Sequence, residues 1–154
     1  MTKIEAEKIK KDCKILTTKA AFLSAGGGAI PLPGVDLGTD IAILIRILPK
    51  ISNRFGLSKK QIDELDERKR LLIFKAIKAA GAELVGRVIT KDILITIFKR
   101  MGIKITSRQI AKYIPIIGTL ISSGISYASM KIVTNMHINH CYGVVAEING
   151  FSND

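Results

Sequence analysis

An almost uncharged stretch in the last third of the chain constrains the fold more than any other feature. The segment Tyr113–Met130 has 18 residues without a charged side chain, and Lys112 and Lys131 bound it. The segment Ile132–Ala146 adds 15 more residues without a charged side chain when its histidines are neutral. Such a stretch needs an apolar environment, which either a protein core or a lipid bilayer provides. Eighteen residues is also about the shortest helix that spans a bilayer.

Three environments remain open for this stretch. It can span a membrane, insert into a membrane surface as a re-entrant hairpin, or form a helix in a water-soluble core. Pro115, two glycines and four serines oppose spanning, since they lower the hydrophobicity of the segment. A core helix rich in small residues explains the same composition.

Apolar residues recur at helical spacing along most of the chain, for example Ile41, Leu44 and Leu48. This pattern predicts an all-α fold, a compact bundle of about five to seven helices. Residues 1–154 fit one domain of ordinary size. The predicted helices are Lys3–Ser24, Val35–Arg54, a third from a capping box at Ser58 to about Leu84, a fourth from Thr90 to about Met101, and a fifth capped by Thr106 or Ser107. Within the second helix, Pro49 is expected to kink or end the regular part, and Gly56 to close it.

Two apolar Pro-Gly junctions lead into apolar helices, at Ile30–Gly34 and at Ile114–Gly118. Loops are normally polar because they lie in water, so apolar junctions are candidates for membrane or partner contact. The candidate residues are Ile30, Pro31, Leu32, Pro33, Ile114, Pro115, Ile116 and Ile117. We also expect the helix after Gly34 to pack against the segment Tyr113–Met130.

Ile43 and Ile47 are further contact candidates, because they interrupt the polar face of the second helix one turn apart. On an isolated helix they would be exposed to lipid or to another helix. The alternative is burial under a neighbouring helix of the same domain.

The charge of the chain favours an anionic partner. It has 24 lysines and arginines against 13 acids, a formal charge of +11. Anionic membrane lipid or a protein partner fits this excess. Nucleic acid is disfavoured because no recognition motif is present, and no small-molecule substrate is evident.

The junctions also carry a family resemblance. Ile30–Asp36, Asp40–Leu44 and Phe55–Leu57 resemble the helical carboxy-terminal domain of the interferon-inducible immunity-related GTPases, and bacterial helical domains of the EcsC-like group. Tyr113–Gly118 is similar to a later Pro-Ile-x-Gly element of these families. The resemblance implies an all-helical domain that sits on membranes. The sequence departs from the GTPases in one respect: it contains no phosphate-binding loop. Gly26–Gly28 lacks the lysine of such a loop, and the motif occurs nowhere else in the 154 residues. The resemblance therefore does not extend to the GTPase part.

Few residues indicate chemistry. His137, His140 and Cys141 share a helical face and include metal-ligand types, but no further ligand is close in sequence. Neutral histidines packed in an apolar helix are the competing interpretation. Cysteine–histidine catalysis is disfavoured, because no third group is evident to orient the base. We therefore predict no catalytic residue, no metal and no cofactor.

The resulting functional hypothesis is a non-enzymatic, membrane-associated helical module. It would bind anionic membrane surfaces or insert an apolar hairpin. The alternative is a protein of bacterial competition, either a membrane-active toxin or an immunity protein that neutralises an acidic partner. No signal peptide is predicted, so the expected location is the cytoplasm, peripheral to or partly inserted at the inner face of a membrane.

Overall fold

The structure is a computed structural model, and it describes residues 1–24, 37–100 and 119–151. The described residues form an all-α bundle. Six helices lie in them: α1 (Lys3–Ser24), α2 (Leu37–Arg54), α3 (Lys59–Asp63), α4 (Glu67–Ala79), α5 (Lys91–Arg100) and α6 (Thr119–Asn149). The predicted fold class is confirmed. Both Pro-Gly junctions and the helix start at Thr106 or Ser107 lie outside the described residues.

The first helix begins where its sequence provides a cap. The backbone N–H of Glu5 donates to the hydroxyl of Thr2, and the backbone N–H of Thr2 donates to the Glu5 carboxylate. This reciprocal pair satisfies N–H groups that have no partner within the helix. The predicted bounds of α1 are confirmed. Its inner face is lined by small side chains, of which Ala6, Cys13 and Ala21 are buried.

The second helix continues through Pro49 to Arg54, so the expectation that regular structure could end at the proline is wrong. The helix ends instead at Gly56, whose φ of +72° is the left-handed conformation that glycine adopts readily. The N–H of Leu57 donates to the carbonyl of Ser52, and the N–H of Gly56 to that of Asn53. This pair of bonds is a Schellman motif, which confirms the predicted role of Gly56.

The predicted third helix is two helices in the structure. The capping box at Ser58 is present, with Gln61 as its partner, but α3 ends at Asp63. Asp66 then adopts an extended conformation, and its carboxylate accepts the backbone N–H of Lys69 to start α4. The continuous apolar periodicity concealed this break, because an aspartate at an N-cap competes with helix continuation.

Replacing Asp66 by alanine should lower the free energy of unfolding by about 1 kcal/mol, because α4 loses its N-cap acceptor. Urea denaturation monitored by circular dichroism measures the change. Asp66→Asn keeps the acceptor and is the matched control, which should retain most of the stability. Equal losses in both variants would show that charge, rather than capping, is what matters at this position.

The C-terminal helix is the centre of the bundle. Helix α6 has 31 residues and runs through Lys131 without interruption. It packs most extensively against α1 and also contacts α2 and α4. The hydrogen bonds to α2 come from His137, which lies beyond Tyr113–Met130, so packing of that segment against α2 stays a prediction. The described helices include none that is long and apolar enough to cross a membrane.

Candidate membrane-contact surfaces

Two of the predicted contact residues, Ile43 and Ile47, lie in the described part of the chain. Ile47 is only 6% exposed and belongs to the core, whereas Ile43 is half-buried and packs against that core. Both line an open groove between α1 and α2. The structure thus places Ile47 under a neighbouring helix and leaves Ile43 partly accessible. The predicted contacts at Ile30, Pro31, Leu32, Pro33, Ile114, Pro115, Ile116 and Ile117 lie outside the described residues.

The groove between α1 and α2 has an apolar floor and a basic rim. Leu16 of α1 faces Ile43 and Ile47 of α2, and Arg46 and Lys50 complete the lining. No acidic side chain of the described residues lines it. This combination suits an anionic group carried on an apolar body, but the groove is open and holds no buried polar group of its own.

A second shallow groove lies on α1. It is lined by Lys11, Lys14, Ile15, Thr18 and Lys19, again with bases around an apolar side chain. The hydroxyl of Thr18 also accepts a hydrogen bond of 2.6 Å from the ammonium group of Lys131. A cation from α6 therefore reaches the same surface, which is strongly positive.

Helix α4 carries an exposed apolar patch that the sequence analysis missed. Leu71 is 54% exposed, Leu72 51% and Phe74 49%. The opposite side of the helix is buried through Ile73 and Ala76. The sequence predicts one helix from Ser58 to about Leu84, and helical spacing alone does not say which of its apolar residues stay exposed. Helical projection of the remaining apolar residues is the signal that would have found the patch.

Basic side chains lie beside this patch, together with one acid, Glu67, four residues before Leu71. Lys75 lies four residues after Leu71, and Lys78 four residues after Phe74, so each base is next to an exposed apolar side chain on the helix surface. Within the part of the chain that the structure describes, neither lysine forms a salt bridge. We refer to Leu71, Leu72 and Phe74 as the α4 patch.

Two of the three candidate residues, His137 and Cys141, form a buried cluster with Ser52 between α2 and α6. The Nε2 atom of His137 lies 2.9 Å from the hydroxyl oxygen of Ser52 and 3.2 Å from the carbonyl oxygen of Leu48. The thiol of Cys141 is 3.7 Å from the same nitrogen. Because a carbonyl oxygen only accepts, we assign the ring proton to Nε2. The Nδ1 atom then has no hydrogen-bond partner among the described residues.

The cluster is held in its neutral form. Burial lowers the pKa of His137 to about 4 and raises the pKa of Cys141 to about 12. A nucleophilic cysteine requires a thiolate, which this environment disfavours. The burial of His137 and its lowered pKa support its interpretation as a neutral, packed histidine. Burial also lowers the pKa of His140, which is half-buried.

The described residues contain no group of three histidine, cysteine or acidic side chains that could hold a metal ion. Cys13 of α1 is buried as well, and burial raises the pKa of its thiol. Of His137, His140 and Cys141, the structure brings only His137 and Cys141 into contact. Both pack beside Ser52.

Comparison with known proteins shows a distant relationship. The chain is 29% identical over 129 residues to interferon-inducible GTPase 5 of cattle (Bos taurus), a match that covers 82% of this chain and 28% of the relative. The chain thus spans less than a third of that protein's length. No protein-family model matches the chain, and no solved structure matches it. The similarity indicates a related helical region.

Proposed function

We propose that this chain is a membrane-associated helical module that binds anionic membrane surfaces without catalysing a reaction. The observation that carries the proposal is a surface on which unpaired cations surround accessible apolar side chains. Salt bridges among the described residues engage Lys59, Lys60, Lys69 and Arg100. The bases of the two grooves, and Lys75 and Lys78 beside the α4 patch, form none within the same part of the chain.

The physical basis is the sum of two weak attractions. Each unpaired lysine or arginine near an anionic leaflet contributes about 1 kcal/mol. Apolar side chains that enter the headgroup region add a term proportional to the area they bury. Neither attraction requires a motif, which is why the sequence contains none for this role.

The distant relative supports a finer assignment. We infer that the chain corresponds to the helical carboxy-terminal part of an immunity-related GTPase, and that EcsC-like domains are further relatives. The proposed location is the cytoplasm, at the inner face of a membrane, whose leaflet is the anionic one. No nucleotide-dependent step is part of the proposal, because the 154 residues contain no phosphate-binding loop.

Sedimentation with vesicles of defined composition tests the proposal. At low ionic strength the chain should sediment with vesicles of phosphatidylcholine and phosphatidylserine and remain in the supernatant with phosphatidylcholine alone. The neutral vesicles are the control for non-specific adsorption. Equal binding to both compositions would show that charge does not drive the association, and binding to neither would refute the proposed function.

A further inference from the structure

We propose that α4 is the element that enters an anionic lipid interface, with Leu71, Leu72 and Phe74 inserted among the headgroups. This inference rests on the proposed membrane function and names the surface that performs it. The occupant is a bilayer surface that contains anionic lipid.

Among the residues that the structure describes, no helix covers the α4 patch. Ile73 and Ala76 already bury the inner side of α4, and the helix packs against α6. The three patch residues fall within four positions and remain about half exposed. Grouped large apolar side chains bordered by polar residues mark surfaces that contact a membrane or a protein.

The positive charges beside the patch favour a lipid surface that is anionic. Lys75 and Lys78 each lie one helical turn after a patch residue, and their long side chains can extend to phosphate groups while the patch is immersed. Arg68 lies three residues before Leu71, at the start of the same surface. An interfacial helix has this combination of apolar insertion and flanking bases.

A second copy of this chain fits the patch less well. Pairing of two α4 patches about a two-fold axis would bring the lysines and Arg68 of both copies together. Like charges in such an interface repel each other. The outer face of α1 is also a weaker candidate, because its exposed Ile4 and Ile15 are separated by three helical turns, roughly 16 Å.

The absence of tryptophan from the sequence provides a direct test. In Phe74→Trp the new indole is the only tryptophan, so its emission reports on this position alone. The probe is a vesicle of phosphatidylcholine and phosphatidylserine with brominated acyl chains. We expect a blue-shifted emission on binding and strong quenching by the bromine atoms.

The matched reporter is Ile132→Trp, at a site on α6 that is exposed to a similar degree, 54%. Its emission should stay close to that of water-exposed indole when the protein is bound. If the chain sediments with vesicles while Trp emission at position 74 is neither shifted nor quenched, the inference is overturned and charge-driven binding stands. If both reporters are quenched equally, α4 is not the selective insertion element.

Two further outcomes distinguish failure of the proposed function from failure of this inference alone. If the wild-type chain does not sediment with anionic vesicles, the proposed function fails, and this inference fails with it. If position 74 shows a blue shift without vesicles that grows with protein concentration, a second copy covers the patch and the lipid assignment is overturned. Sedimentation velocity then identifies the dimer.

A pair of charge variants tests the surface independently of the reporter. Lys75→Gln with Lys78→Gln and Lys91→Gln with Lys99→Gln each remove two positive charges, from α4 and from α5. We expect the α4 pair to weaken vesicle partitioning about thirtyfold and the α5 pair to weaken it less than threefold. Equal losses would contradict a specific α4 surface.

Discussion

Replacing Ile138 by alanine should lower the free energy of unfolding by about 2–5 kcal/mol, a large part of the stability of a domain of this size. Ile138 is fully buried on α6, the helix that α1, α2 and α4 all contact. The substitution removes apolar contacts and leaves a cavity that a tightly packed core fills only in part. Chemical denaturation with a two-state fit measures the loss.

Ile132→Ala is the matched control for this prediction. It makes the same chemical change on the same helix, at a side chain that is 54% exposed. The expected loss is below about 1 kcal/mol, since less apolar area is removed from the folded state. Similar losses at both positions would mean that α6 is not the centre of the core.

Acidification should destabilise the fold through His137. Its ordinary pKa of 6.5 falls to about 4 in the folded chain because burial disfavours the charged ring. The unfolded chain therefore binds more protons between these values, and stability decreases as the pH falls through this window. The full difference corresponds to about 3 kcal/mol, present above pH 6.5 and lost near pH 4.

The slope of stability against pH identifies the residue responsible. His137→Gln retains an N–H that can donate to the carbonyl of Leu48, but it does not titrate. We expect this variant to lose most of the decrease between pH 6.5 and 4, whatever its absolute stability. His140→Gln should have a smaller effect, because that ring is only half-buried. An unchanged slope in His137→Gln would assign the acid sensitivity to other groups.

Local signals in the sequence predicted the secondary structure well where one residue type determines the geometry. Gly56 ends α2 because its positive φ disfavours other residues, and Ser58 begins α3 through a capping box. The break at Asp66 was missed, because apolar residues continue at helical spacing on both sides of it. Whether Asp66 caps a new helix or continues the old one depends on a small difference in free energy. The spacing of apolar residues does not report that difference.

The candidate surface was less predictable than the fold. Ile43 and Ile47 were identified as possible contacts from one helix viewed in isolation, but the presence of α1 above them buries Ile47. Leu71 and Phe74 were overlooked because apolar residues in a periodic helix suggest a core. Which apolar face of a helix stays exposed depends on how many neighbours pack around it, and this is a property of tertiary structure.

The measurement that tests the central claim most directly is the salt dependence of vesicle partitioning. The partition coefficient of the wild-type chain on phosphatidylserine-containing vesicles should fall steeply as the ionic strength rises from about 0.01 to about 1 M, because the Debye length shortens from about 30 to 3 Å. A residual affinity at high salt would measure the apolar contribution to binding. A partition coefficient that is negligible at low salt, or unchanged across the series, would contradict binding driven by the cationic surface.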